Sequence, residues 1–318
     1  MALLSRNADR LFWAARYMER AEDTSRLVQE FGELFDDMPT DSDDTSRRWA
    51  PLLAVCGDRT MLEKQASERE VVHALVSDTE DPSSVAGSVA AARSNLRTTR
   101  EVLPREAWRT VNDLSLFVAE EAPRAESRLF RSHVLSRVAN DSRRLDGILT
   151  SSMTRDAAWQ MWRMGRYLER ADMTTRMVGV RAAALMAQAN GHDAAALRYD
   201  EVQWMGVLKS LSALQMYERA TRGPIEASSV VRFLLFNAAF PRSVRFCLDE
   251  IDRSLDHLSR PQAVRSAVAY ARSALTSSDV KDTTDDGADL DQAMDWVQSH
   301  LGRVNDAIAD RYLRIGGG

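Results

Sequence analysis

The chain has 318 residues, of which 44% are apolar and 28% charged, and its formal net charge is −5. That length buries a large core in one domain or two, and the acidic balance disfavours a general nucleic-acid-binding role. No apolar run of about 18 residues occurs, so no membrane span is expected.

The N-terminus, Met1-Ala2-Leu3-Leu4-Ser5-Arg6, lacks the long apolar stretch of a signal peptide. Residues 8–30 then read as a helix with a densely charged centre. Asp36 to Asp44 is polar and acidic and reads as a solvent loop. Pro82, Pro104, Pro224, Pro241 and Pro261 each precede a helical pattern, where a proline near the first turn is tolerated. Residues 158–180 form a second charged helix. Trp204, Val207, Leu208, Leu211, Leu214 and Tyr217 fall on one apolar stripe, as do Met294, Val297, Leu301, Val304 and Ile308. Between these stripes, Thr276 to Gly287 reads as another polar loop, and the chain ends in a Gly316-Gly317-Gly318 tail. The pattern predicts an all-α protein, a bundle of about ten to twelve helices with essentially no sheet. Cys56 and Cys247 lie far apart in apolar surroundings and are expected to be reduced thiols of a cytoplasmic protein.

The chain repeats itself. Arg16-Tyr17-Met18-Glu19-Arg20-Ala21-Glu22 recurs as Arg166-Tyr167-Leu168-Glu169-Arg170-Ala171-Asp172, 150 positions later. Trp49-Ala50-Pro51-Leu52-Leu53 recurs loosely at Trp204, 155 positions on, and Val71-Val72 and Pro82-Ser83-Ser84-Val85 recur at Val230-Val231 and Pro241-Arg242-Ser243-Val244, 159 on. Ordered blocks with a slowly growing offset predict a duplicated helical unit. The halves are expected at 1–150 and 151–318, pseudo-symmetric and joined in one compact unit.

On the first motif helix, Trp13, Arg16, Arg20, Asp23, Thr24 and Leu27 share a face, with Ala14, Met18, Ala21, Ser25 and Val28 opposite. Arginines four residues apart repel unless an anion lies between them. Glu19 and Asp23 can neutralise part of that charge, and Glu22–Arg26 and Asp172–Arg176 are well-oriented pairs. Two readings stay open. The motif is a salt-bridge face, or Arg16, Arg20, Arg166 and Arg170, with Glu19 and Glu169, line a site for a carboxylate or phosphate. Arg242 and Ser243, at an expected helix start, extend the second reading, because free N–H groups there favour an anion.

Leu4-Ser5-Arg6, Trp13, Arg16-Tyr17 and Glu19-Arg20-Ala21-Glu22 resemble the signature of the bacterial alpha-E family. Ala92-Arg93-Ser94-Asn95-Leu96-Arg97, Gly165 to Asp172 and Phe240-Pro241-Arg242-Ser243-Val244 agree with it. Ser94 departs from the pattern, since an acidic residue is expected there. The resemblance implies an all-helical protein associated with a circularly permuted ATP-grasp-type ligase and a transglutaminase-like peptidase. That company implies small-peptide synthesis or peptide tagging. The chain would be a scaffolding or substrate-binding subunit for a small peptide or amino acid. The alternatives are an acyl or aminoacyl transferase using an Arg/Glu cleft, and a purely structural interaction protein.

Other constellations carry less. Glu70-Val71-Val72-His73 matches half of a di-iron signature, but its repeat counterparts are Ser229 and Arg232. No metal site and no cofactor is expected. No glycine-rich phosphate loop and no nucleophile elbow is present.

Overall fold

The computed structural model describes residues 3–37, 48–56, 66–187, 194–276 and 287–314, with the side chains of 54, 56, 181–200 and 287–288 outside that description. Among the described residues there are twelve α-helices and no strand. They are α1 (Ser5–Asp36), α2 (Glu68–Val72), α3 (Val85–Arg97), α4 (Arg105–Glu121), α5 (Arg128–Ser152), α6 (Ala157–Ala187), α7 (Ala194–Ser210), α8 (Leu214–Thr221), α9 (Ala227–Phe236), α10 (Val244–Leu255), α11 (Gln262–Leu275) and α12 (Gly287–Ile308). Most of both expected polar loops, the glycine tail and the side chain of Cys56 lie outside the described residues.

Two closed rings of helix contacts organise the chain. In one, α1 packs on α3, α3 on α4, α4 on α5, and α5 returns to α1. In the other, α6 packs on α10, α10 on α11, α11 on α12, and α12 returns to α6. The rings meet along α1 and α6, the two motif helices. Gly165 sits where α1 comes closest. A Cβ there would collide with the Phe12 carbonyl oxygen and lie 3.1 Å from the Phe12 Cα, so only glycine fits without a shift.

The rings also exchange pieces. Helix α7 packs on α1, and the 3-10 turn Ala50–Cys56 packs on α6. Trp49 is buried against Phe35, with ring centroids 5.3 Å apart, and Gly206 lets the Phe31 and Leu34 side chains approach α7. The terminal motif arginines follow the same crossing. Arg26 donates to the Ser212 hydroxyl, and Arg176 donates to the Val55 carbonyl at 3.0 Å.

The 159-residue offset reappears as hydrogen bonds. Ser84 caps α3 by accepting from Gly87 N–H and donating to the Asp78 carbonyl. Ser243 caps α10 by accepting from Phe246 N–H and donating to the Asn237 carbonyl. Ahead of each cap, Asp78 and Asn237 accept from backbone N–H groups two and three residues on. These bonds satisfy donors that a helix start leaves open. Pro104 and Pro261 are themselves N-cap residues, while Pro82, Pro224 and Pro241 stand three positions ahead of their helices.

One sequence expectation changes. The stripe from Trp204 to Tyr217 does not lie on one helix. Ser212 takes φ 50 and ends α7 before α8 begins, with neither glycine nor proline to mark the break. Helix α1 is buried on its charged face as well as on its apolar one. Met18, Ala21 and Val28 are buried, and so are Arg16, Glu19, Glu22, Asp23 and Arg26, because protein covers both faces.

Candidate functional site

The charged faces of α1 and α6 meet each other. Contacts climb both helices together, from Phe12 beside Gly165 to Arg16 and Arg20 beside Glu169, so the helices run side by side in the same direction. Arg16 Nε donates to Glu169 at 2.5 Å and Arg20 Nε at 2.6 Å, one to each carboxylate oxygen. The reverse set is also made. Arg166 Nε donates to Glu19 at 3.0 Å and Arg170 Nε at 2.5 Å, again one to each oxygen. Each glutamate is thus clamped by two arginines of the other helix, as in an isologous interface folded into one chain. The expected neutralisation of Arg16 and Arg20 by Glu19 and Asp23 of their own helix is corrected by this geometry. A partner helix brings a carboxylate between the two guanidiniums, which a neighbour on the same helix does not.

Further groups complete the set. Arg16 Nη1 donates to Asn305 of α12 at 2.8 Å, and Arg166 donates to Asp146 of α5. Arg143 reaches Glu22 at 3.3 Å. The aromatic residues Trp13 and Tyr17 lie under the Arg16 and Arg20 guanidiniums, and Tyr167 lies under Arg170. Sequence reasoning missed Asn305, Asp146 and Arg143, which come from elements with no motif of their own.

Arg242 occupies the asymmetric corner. It donates to Asp23 and to Glu22, the latter at 3.0 Å, and its Nη1 lies 3.2 Å from Glu19. The anion that Arg242 meets near the start of α10 is therefore the acidic row of α1. Ser243 stands beside it as the helix cap. At the repeat-related corner, Met173 stands for Asp23 and Ser83 for Arg242. Ser83 makes a local turn with Asp81 instead. An acid and a base present together in one copy and absent together from the other form the signal that finds this pair from sequence.

Burial and charge set the protonation states. Burial works to raise the Glu169 pKa, but Arg16 and Arg20 override it and hold the group at about 2. Burial likewise opposes ionisation of Glu19, and Arg170, Arg242 and Arg166 outweigh it and pull its pKa well down. Asp23 goes the other way. Burial, with Glu19 and Glu22 adding, pushes it up to about 8 despite Arg242 beside it. Its Oδ2 has no hydrogen-bond partner among the described residues, which fits a carboxyl that ionises reluctantly. Burial also pushes the free Cys247 thiol up to about 12, which makes it a core residue rather than a nucleophile.

The Glu169 depression has a measurable consequence. Its contribution to stability is present above the unfolded value near 4.5 and is lost as pH falls toward 2. The stability gap between the wild type and Glu169→Gln is expected to shrink by roughly 3 kcal/mol between pH 6 and pH 2, read by chemical denaturation. A gap independent of pH would show that Glu169 is not held ionised.

Glu70 and His73 are engaged elsewhere. Glu70 closes a capping box with Ser67, and His73 Nδ1 lies 3.0 Å from Glu126. Among the described residues no group of three or more His, Cys, Asp or Glu is placed to hold a metal ion, and no helix is long and apolar enough to cross a membrane.

A family described as a predicted alpha-helical domain with a conserved ER motif matches residues 3–313. Two Glu-Arg dipeptides, Glu19-Arg20 and Glu169-Arg170, lie at the centre of the network. Uncharacterized proteins from Mycobacterium bovis and Mycobacterium tuberculosis are 23% identical to the chain over 97% of its length. The chain spans only 37% of those relatives. No solved structure matches.

Proposed function

The chain belongs to the Alpha-E family, and from that premise we propose that it is a scaffolding and substrate-binding subunit of a bacterial, cytoplasmic peptide-forming system. Its partners in this reading are an ATP-grasp-type ligase and a transglutaminase-like peptidase. The observation that carries the proposal is the length of the mycobacterial relatives. Nearly all of this chain aligns to about a third of each, so the same unit occurs there tethered to a larger body of protein. A unit that is one part of a longer polypeptide in some proteins is suited to dock on the separate equivalent in others.

The architecture supports a scaffolding role over catalysis by the motif. The guanidinium forks of Arg16, Arg20, Arg166 and Arg170 are engaged by Glu169 and Glu19, which leaves a rigid seam between two helix rings. We read those rings as two copies of one duplicated unit. The repeated caps at Ser84 and Ser243 and the reciprocal ion pairs support that reading. A docking contact falls more naturally on exposed aromatic surface, such as Tyr270 of α11 and Trp296 of α12, than on the buried motif face.

Co-expression with an ATP-grasp-type ligase from the same genome, followed by size-exclusion chromatography at micromolar concentration, tests the partnership. Co-elution is expected. Separate elution would overturn a stable complex.

A further inference from the structure

Helices α4 and α5 enclose a polar groove of about 310 Å³. That is the low end of the roughly 300–1,000 Å³ typical of small-molecule sites, so its occupant is small. The motif helices do not line it. Its walls carry Glu106, Arg109 and Asp113 from α4 and Arg137, Asp141 and Arg144 from α5. Most of these charges are committed. Arg137 donates to Asp141 one turn along α5 at 2.6 Å, and Arg144 meets Glu106 across the groove at 3.7 Å.

Arg109 and Asp113 are different. Each faces the groove, and neither has an ion pair or hydrogen bond among the described residues. They stand four residues apart with the cation nearer the helix N-terminus, the weaker orientation for a helical pair. The groove therefore holds one free positive and one free negative charge, about 6 Å apart along the helix by its rise per residue. Two residues of extended chain span roughly 6–7 Å, so the terminal ammonium and carboxylate of a dipeptide match that spacing. One helical turn beyond Asp113, Leu116 exposes 59% of its surface. Beside it, Phe117 stacks edge-on with His133 at 5.8 Å and lies under the Arg137 guanidinium at 5.2 Å. Leu116 and Phe117 are not among the groove-lining residues, but they follow Asp113 along α4 and put apolar surface next to that end of the groove, where a hydrophobic N-terminal side chain can rest.

We propose that the α4–α5 groove binds a short zwitterionic peptide of dipeptide size. Arg109 takes the carboxylate, Asp113 takes the ammonium, and an apolar first side chain rests on Leu116. The peptide class rests on the peptide-system reading above, while the charge pattern stands without it.

The test is calorimetric or NMR titration of the full chain with leucyl-alanine, its N-acetyl derivative and its C-terminal amide. Saturable binding of the free dipeptide is expected, with each blocked form at least ~10-fold weaker because one charge-assisted contact is lost. Arg109→Gln and Asp113→Asn should each remove binding without lowering the melting temperature, since both side chains are exposed. Equal affinity for free and blocked peptides, unchanged binding by both variants, or no saturation by about 10 mM, where binding is only a few kcal/mol, would overturn the site. Lost dipeptide binding with an intact ligase complex overturns the groove alone. Dipeptide binding without ligase co-elution overturns the partnership alone.

Discussion

Glu19→Ala is expected to be among the most damaging single substitutions in the protein, costing about 3–5 kcal/mol and lowering the melting temperature by on the order of 10 °C. The carboxylate answers Arg166, Arg170 and Arg242 together, and two of those arginines are almost fully buried. Removing it leaves like charges facing one another without water. Glu169→Ala should cost less, by at least about 1 kcal/mol. Among the described residues Glu169 answers only Arg16 and Arg20, whose side chains are 11% and 19% exposed, and both retain other acceptors in Asn305 and the Pro82 carbonyl. Thermal and denaturant melts of the two variants check the order. Equal losses would mean that Arg242 does not depend on Glu19.

The second large effect is a coupling. Arg242→Ser alone should cost about 1–3 kcal/mol, because the buried Asp23 carboxyl loses the guanidinium that donates to it. Adding Asp23→Met should return about 1 kcal/mol, although it replaces a second buried residue. The double variant installs at this corner the Met and Ser that the chain already carries at positions 173 and 83. Glu22 keeps Arg26 and Arg143 in that variant. A double-mutant cycle by denaturant unfolding measures the coupling. Additive losses would show that Asp23 and Arg242 are neighbours without being partners.

Much of the fold is legible in the sequence, and the rest is hidden for physical reasons. The motif helices stand out because two copies of Arg-Tyr-x-Glu-Arg-Ala announce themselves by identity, and the stripe from Met294 to Ile308 announces α12 by period. Convergence of Arg16, Arg20, Arg166 and Arg170 follows from the repeat. Their partners do not, because a carboxylate some 150 residues away competes on equal terms with one on the same helix until the packing is known. Ser212 ends a helix through a left-handed backbone at a residue type that usually carries no such signal. The charged face of α1 reads equally as a salt-bridge face or as an anion site, because the sequence does not show what covers it. That face is buried only because another charged helix of matching pattern covers it.

The separation of those partners in sequence also orders events during synthesis. Helix α1 emerges before α6, and the acids and bases of α6 that pair with it lie 147 to 153 residues later. At roughly 5–20 residues per second, that is a wait on the order of ten seconds or more. An apolar seam exposed for so long invites aggregation, whereas a seam of arginines and glutamates stays hydrated until its counterpart appears. The ion pairs thus let this long-range contact form late without leaving a greasy surface in the meantime. A seam of this kind trades some native stability for a nascent chain that keeps itself soluble.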